Sequence, residues 1–81
     1  MKDLNSIVIT GKASVDWNKY MSMFYVQNKY KQGKVQTLTV LLQGERLIKI
    51  CREKIVKGMQ VRVVGCWEHD HILADYVEVV E

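Results

Sequence analysis

Gly44-Glu45-Arg46-Leu47-Ile48-Lys49-Ile50-Cys51-Arg52-Glu53-Lys54-Ile55 breaks a pattern that holds on both sides of it. Leu47, Ile48, Cys51 and Ile55 recur at spacings of three and four, while Arg46, Lys49, Arg52, Glu53 and Lys54 occupy the other face, the period of one amphipathic helix. Gly44 opens it, Lys54 and Lys57 crowd positive charge into its later half, and Gly58 stands where a helix stop is commonly placed. The helix is therefore expected to end near Lys57.

Working upstream, Ile7, Ile9 and Gly11 alternate with Val8, Thr10 and Lys12, which predicts a strand from Asn5 to Lys12. Ala13 to Lys19 mixes polar and apolar residues and reads as a loop or an irregular continuation. From Met21 to Lys29 a second strand places Met23, Tyr25, Gln27 and Lys29 on one face and Phe24, Val26 and Asn28 on the other. Lys29-Tyr30-Lys31-Gln32-Gly33-Lys34 then forms a hairpin loop leading to a third strand, Val35 to Leu42. Downstream of the helix, Met59 to Trp67 alternates again, Glu68-His69-Asp70 turns, and Ile72 to Val80 closes the series. Three strands, one helix and two strands is the layout of an all-β OB-fold, a five-stranded Greek-key barrel with one α-helix between strands 3 and 4 plugging an end. SH3-like barrels lack that helix, and closure spares so short a chain long unpaired edges.

The 81 residues make a single domain, 1–81, with room for one core and little for a deep cleft, which favours a binding module over a multidomain enzyme. An apolar fraction of 48% with 26% charged residues is ordinary for a globular domain and argues against disorder. The longest uncharged apolar stretch, Leu38 to Leu42, falls far short of the roughly 20 residues of a membrane-spanning helix, and the N-terminus lacks a signal-peptide core. No membrane partner and a cytoplasmic location are the expectations. Cys51 and Cys66, each among apolar neighbours, read as buried thiols rather than a disulfide framework. Cys66-Trp67-Glu68-His69-Asp70-His71 gathers potential zinc ligands, but their spacing does not match paired short ligand motifs, so no metal and no cofactor are expected. No nucleophile has an evident base and orienting group, and the expectation is a non-enzyme. A net charge of +3 suits a polyanionic partner.

Asn5-Ser6-Ile7-Val8-Ile9-Thr10-Gly11-Lys12, the helix-opening Gly44, Lys57-Gly58-Met59-Gln60-Val61-Arg62-Val63-Val64-Gly65 and Ala74-Asp75-Tyr76-Val77 together resemble the bacterial single-stranded-DNA-binding protein (SSB) family, in order and over nearly the whole chain. The resemblance implies an OB-fold that binds single-stranded DNA along its second and third strands and its long loops, usually as an oligomer. Three departures stand out. Thr37 and Gln43 occupy positions that are commonly aromatic in the family, His69 replaces a further aromatic, and the chain runs out at Val79-Val80-Glu81 without the family's acidic tail. The resemblance is thus to a short, tail-less relative, a replication or recombination accessory protein. The rival expectation is a small interaction subunit that docks on a primase, polymerase or helicase, in a phage or mobile element, and contributes to a shared nucleic-acid path.

Binding single strands without sequence preference takes cations that follow phosphates and exposed rings on which bases stack. Lys29, Tyr30, Lys31 and Lys34 interleave a ring with three ammonium groups in the hairpin loop. Tyr25, Gln27 and Lys29 share a strand face at intervals of about 7 Å. Trp17 and Tyr20, in the loop between the first two strands, are expected to be exposed stacking rings, and Lys12 and Arg62 to reach phosphates from flanking strands. Trp67 and Tyr76 are expected to be structural, Trp67 in the core.

Overall fold

The structure, a computed structural model, describes residues 6–80, the Lys31 side chain excepted; Asn5, assigned above to the first strand, lies outside them. The elements are β1 (Ser6–Ser14), β2 (Met23–Tyr30), β3 (Lys34–Leu42), α1 (Glu45–Lys54), β4 (Gln60–Glu68) and β5 (His71–Val79), with one 3-10 turn, Lys31–Gly33, at the tip of the β2–β3 hairpin. The strands close into a barrel in the order β1-β2-β3-β5-β4, and α1 connects β3 to β4. All ladders are antiparallel except β3–β5, which is parallel, the chain passing through α1 and β4 between the two strands. This is the OB-fold that the element order predicts.

Alternation delivers the core. Phe24 and Val26 from β2, Leu38, Val40 and Leu42 from β3, Val61 and Val63 from β4, and Ile72 and Ala74 from β5 all point inward and are buried. Cys51 and Ile55 stopper the barrel from the α1 side, with Leu47 and Ile48 packed against the same cluster. Each fully buried Val, Ile or Phe contributes about 1.5–3 kcal/mol, which fixes register, because a slip of one residue would turn every such side chain outward.

β1 runs two residues further than the alternation alone predicts. It pairs with β4 from Ser6 to Lys12, then changes partner and pairs with β2 from Lys12 to Ser14. Gly11 sits at the crossover because a Cβ there would lie 2.5 Å from the Gln27 carbonyl oxygen. Ala13 is buried, and its N–H donates to Met59 O at 2.7 Å, so the stretch taken for a loop starts as strand.

The helix ends at Lys54 rather than near Lys57. Ile55 is already extended (φ −103°, ψ 124°), although its N–H still donates to Cys51 O at 2.8 Å. It leaves the helix because its side chain is buried in the barrel mouth, and its carbonyl accepts the Trp17 indole Nε1–H at 2.9 Å. Gly58 (φ 95°) belongs to the turn into β4, where its N–H donates to Ala13 O at 2.8 Å.

Two tryptophans depart from their expected surroundings. Trp17 is a half-buried latch rather than an open ring: it meets Phe24 edge-on at 5.9 Å and ties its loop to the end of α1. A tryptophan beside the barrel mouth finds both an apolar wall and a carbonyl for its N–H there. Trp67 is 38% exposed and not in the core. It continues the inward parity of Val61, Val63 and Gly65, but at the last turn of β4, beyond Cys66, whose β1 partner is Ser6.

Candidate nucleic-acid interface

Burial of Phe24 and Val26 forces Tyr25, Gln27 and Lys29 to the outside of β2. The ladders set neighbours beside them: Ser14 and Thr39 flank Tyr25, Lys12 and Thr37 flank Gln27, Val35 lies opposite Lys29, and Lys34 lies opposite Tyr30. Three strands thus carry one outward stripe of ring, amide, hydroxyl and ammonium groups. A cleft of about 360 Å³ opens where β1 leaves β2, lined by Thr10, Lys12, Gln27, Asn28, Lys29 and Gln60. Among the described residues no carboxylate pairs with Lys12, Lys29 or Lys34.

The loop after β1 folds over the other end of this stripe. Asp16 O accepts the N–H groups of Lys19 (3.0 Å) and Tyr20 (2.8 Å), a tight turn that aims Tyr20 back at β2. Tyr20 meets Tyr25 edge-on, centroids 6.2 Å apart at 87°, and Lys19 Nζ lies 5.3 Å from the Tyr20 centroid. A second cleft, about 420 Å³, lies here between Ser14, Val15, Asp16, Tyr20, Tyr25 and Lys57. The sequence did not single out Lys57, Lys19 or Asp16, which the structure sets beside Tyr20 and Tyr25. Lys57 was read as the end of the helix, whereas the turn held by the Gly58–Ala13 hydrogen bond brings it beside Tyr25.

Of the residues expected in the interface, Lys12, Tyr20, Tyr25, Gln27 and Lys29 therefore share one side of the barrel, whereas the exposed Tyr30–Lys34 pair, at the hairpin end beside the backbone of Lys31, has the other parity, that of Phe24 and Val26. Trp17 does not join them, since its N–H and one edge are committed to Ile55 and Phe24. Arg62 lies elsewhere too. It faces out from β4 between Thr10 and Glu78, and its Nη1 donates to Glu78 Oε2 in an ion pair. The same carboxylate accepts the Tyr76 hydroxyl at 3.0 Å, and that hydrogen bond raises the Tyr76 pKa. Thr37 lies beside Gln27 within the stripe, whereas Gln43 donates from Nε2 to Asp75 Oδ1 at 3.3 Å. His69 sits in the β4–β5 turn with φ 59°. Among the described residues no three His, Cys, Asp or Glu side chains converge on a common point suited to a metal ion. No helix among them is long and apolar enough to cross a membrane.

No protein-family model matches the chain, and no curated protein does. Solved structures do. The mitochondrial single-stranded-DNA-binding protein Rim1 of S. cerevisiae superposes with a TM-score of 0.80 at 13% identity, over 99% of this chain and 98% of that one. A dimeric structure of the N-terminal domain of PriB from Thermoanaerobacter tencongensis gives 0.70 at 15% identity, over 98% and 99%. Plasmodium falciparum SSB in complex with single-stranded DNA gives 0.71 at 14% identity, over 100% and 98%. At these identities the likeness is one of fold.

Proposed function

We propose that the protein binds single-stranded DNA across the outer face of β2 and β3, as an accessory factor in replication or recombination. The observation that carries this reading is the stripe from Tyr20 and Tyr25 through Gln27 and Lys12 to Lys29, in which rings and ammonium groups share one open surface, with Tyr30 and Lys34 exposed at the hairpin end beyond it. Unpaired bases stack on such rings, and the cations follow the phosphates. The chemistry is that of a binder and requires no catalytic group. Two of the neighbours of the same fold, Rim1 and the Plasmodium falciparum protein, are named as single-stranded-DNA-binding proteins, the second complexed with that ligand.

A second copy of the chain completes the reading. From Ser6 to Gly11, β1 has β4 on one side and no strand on the other among the described residues, an edge of Ile7, Val8, Ile9 and Thr10 open to pairing. Val8, 61% exposed, continues across the barrel wall to Val64 and Tyr76. Pairing of two such edges would join two DNA faces into a longer path and raise avidity. A primase, polymerase or helicase is the remaining candidate to extend that path.

Fluorescence anisotropy with labelled single-stranded DNA, RNA and duplex across a salt series tests the reading. Single strands bind more tightly than duplex of matched length, with affinity falling as salt rises. Equal affinity for the duplex overturns it.

A further inference from the structure

The geometry points to a base-reading slot at one end of this path, the cleft between Tyr20, Tyr25, Asp16 and Lys57, which prefers guanine over thymine. The inference rests on the single-strand-binding reading and adds a base preference to it.

The cleft has the parts such a slot requires. Its volume, about 420 Å³, lies within the ~300–1,000 Å³ typical of small-molecule sites. Tyr20 and Tyr25 stand nearly perpendicular, so a base stacked on the face of one ring abuts the edge of the other. Lys57 supplies a cation at the same cleft for the attached phosphate.

Asp16 is the group that a purely electrostatic strand-binding surface would not contain. A carboxylate on a polyanion's path repels phosphate, and a hydrogen-bond donor edge on the bound base offsets that cost. Its position is held from behind. Asp16 O accepts two turn N–H groups, and Oδ1 accepts the Lys19 N–H at 3.3 Å. Oδ2 has no hydrogen-bond partner among the described residues.

An unpaired base presents its Watson–Crick edge. Guanine offers two adjacent donors there, N1–H and N2–H, which match the two oxygens of a carboxylate as charge-assisted hydrogen bonds. Cytosine and adenine set one amino group beside a ring-nitrogen acceptor that repels the carboxylate. Thymine places its single N3–H between two carbonyl oxygens, the least favourable edge of the four.

The test is anisotropy with an oligo-dT strand, the same strand carrying isolated guanines, and the same strand with hypoxanthine in their place. Guanine tightens binding about tenfold over oligo-dT, and hypoxanthine, which keeps N1–H and lacks the 2-amino group, falls between. Asp16→Asn keeps the Oδ1 acceptor that the turn uses, binds oligo-dT at least as tightly as the parent because a charge that repels phosphate is gone, and loses the guanine preference. A purely turn-forming Asp16 would leave that preference unmoved by the substitution. Equal affinity of the parent for all three strands, or a guanine preference that survives in Asp16→Asn, overturns the slot while leaving single-strand binding in place. Failure to bind any of the three strands overturns both readings.

Discussion

Two outward faces of one barrel treat their charges in opposite ways. On the β1–β4–β5 wall, Arg62 is neutralised by Glu78, the same carboxylate holds the Tyr76 hydroxyl, and Val8 and Val64 complete an apolar row. On the β1–β2–β3 wall, Lys12 and Lys29 stand among amides, hydroxyls and tyrosines, Lys34 is exposed at the hairpin end, and none of the three has a carboxylate partner among the described residues. An ion pair already made on the protein leaves little net charge for phosphate, whereas an unpaired ammonium releases a counterion when phosphate replaces it. A cation's position on a strand thus says less about its function than what stands on the next strand.

The largest expected effect breaks the polar wall. Lys12→Ala, Lys29→Ala and Lys34→Ala combined weaken single-strand binding on the order of a hundredfold near ~50 mM salt, and flatten the log–log salt slope by about 0.7 per lost contact. Anisotropy across a salt series reads both quantities. Next comes Tyr25→Ala, which costs about 1–3 kcal/mol of binding and leaves the salt slope unchanged, because stacking displaces no counterions.

The opposite wall should behave differently under the same assay. Arg62→Ala and Tyr76→Ala change the single-strand affinity of the protein by less than about twofold, as expected for groups off the path. Val8→Lys, placed in the open β1 edge, lowers the mass seen by sedimentation at a given concentration, since inward or edge lysines block strand pairing. A mass unmoved by Val8→Lys would separate oligomerisation from this wall.

How much of this was legible in the sequence depends on whether one element or two decided a residue's surroundings. The barrel order, the inward set Phe24, Val26, Leu38 and Val40, and the outward set Tyr25, Gln27 and Lys29 follow from alternation within single strands. Arg62 failed that test because Glu78 lies on β5, 16 residues away, and is set beside it only by the ladder. Trp17 looked exposed because its immediate neighbours are polar, whereas its partners, Phe24 and Ile55, arrive from another strand and from the helix end. Lys57 was hidden by the helical period running up to Ile55, which said nothing of where the chain turned next.

The smallest effect lies in the core between the walls. Burial pushes the Cys51 thiol from its ordinary value near 9.0 up to about 11. The folded state keeps the proton while the unfolded chain loses it, so this contribution is whole below about pH 9 and fades as pH rises toward 11. Cys51→Ala lowers stability at neutral pH by opening a small cavity, and shows a shallower decline across that window in thermal melts.

Backbone amide shift mapping during titration with short oligo-dT tests most directly which wall carries the strand. The account predicts perturbations concentrated at Lys12, Tyr20, Tyr25, Gln27, Lys29 and Tyr30. Perturbations concentrated instead at Val8, Arg62, Val64 and Tyr76 would contradict it.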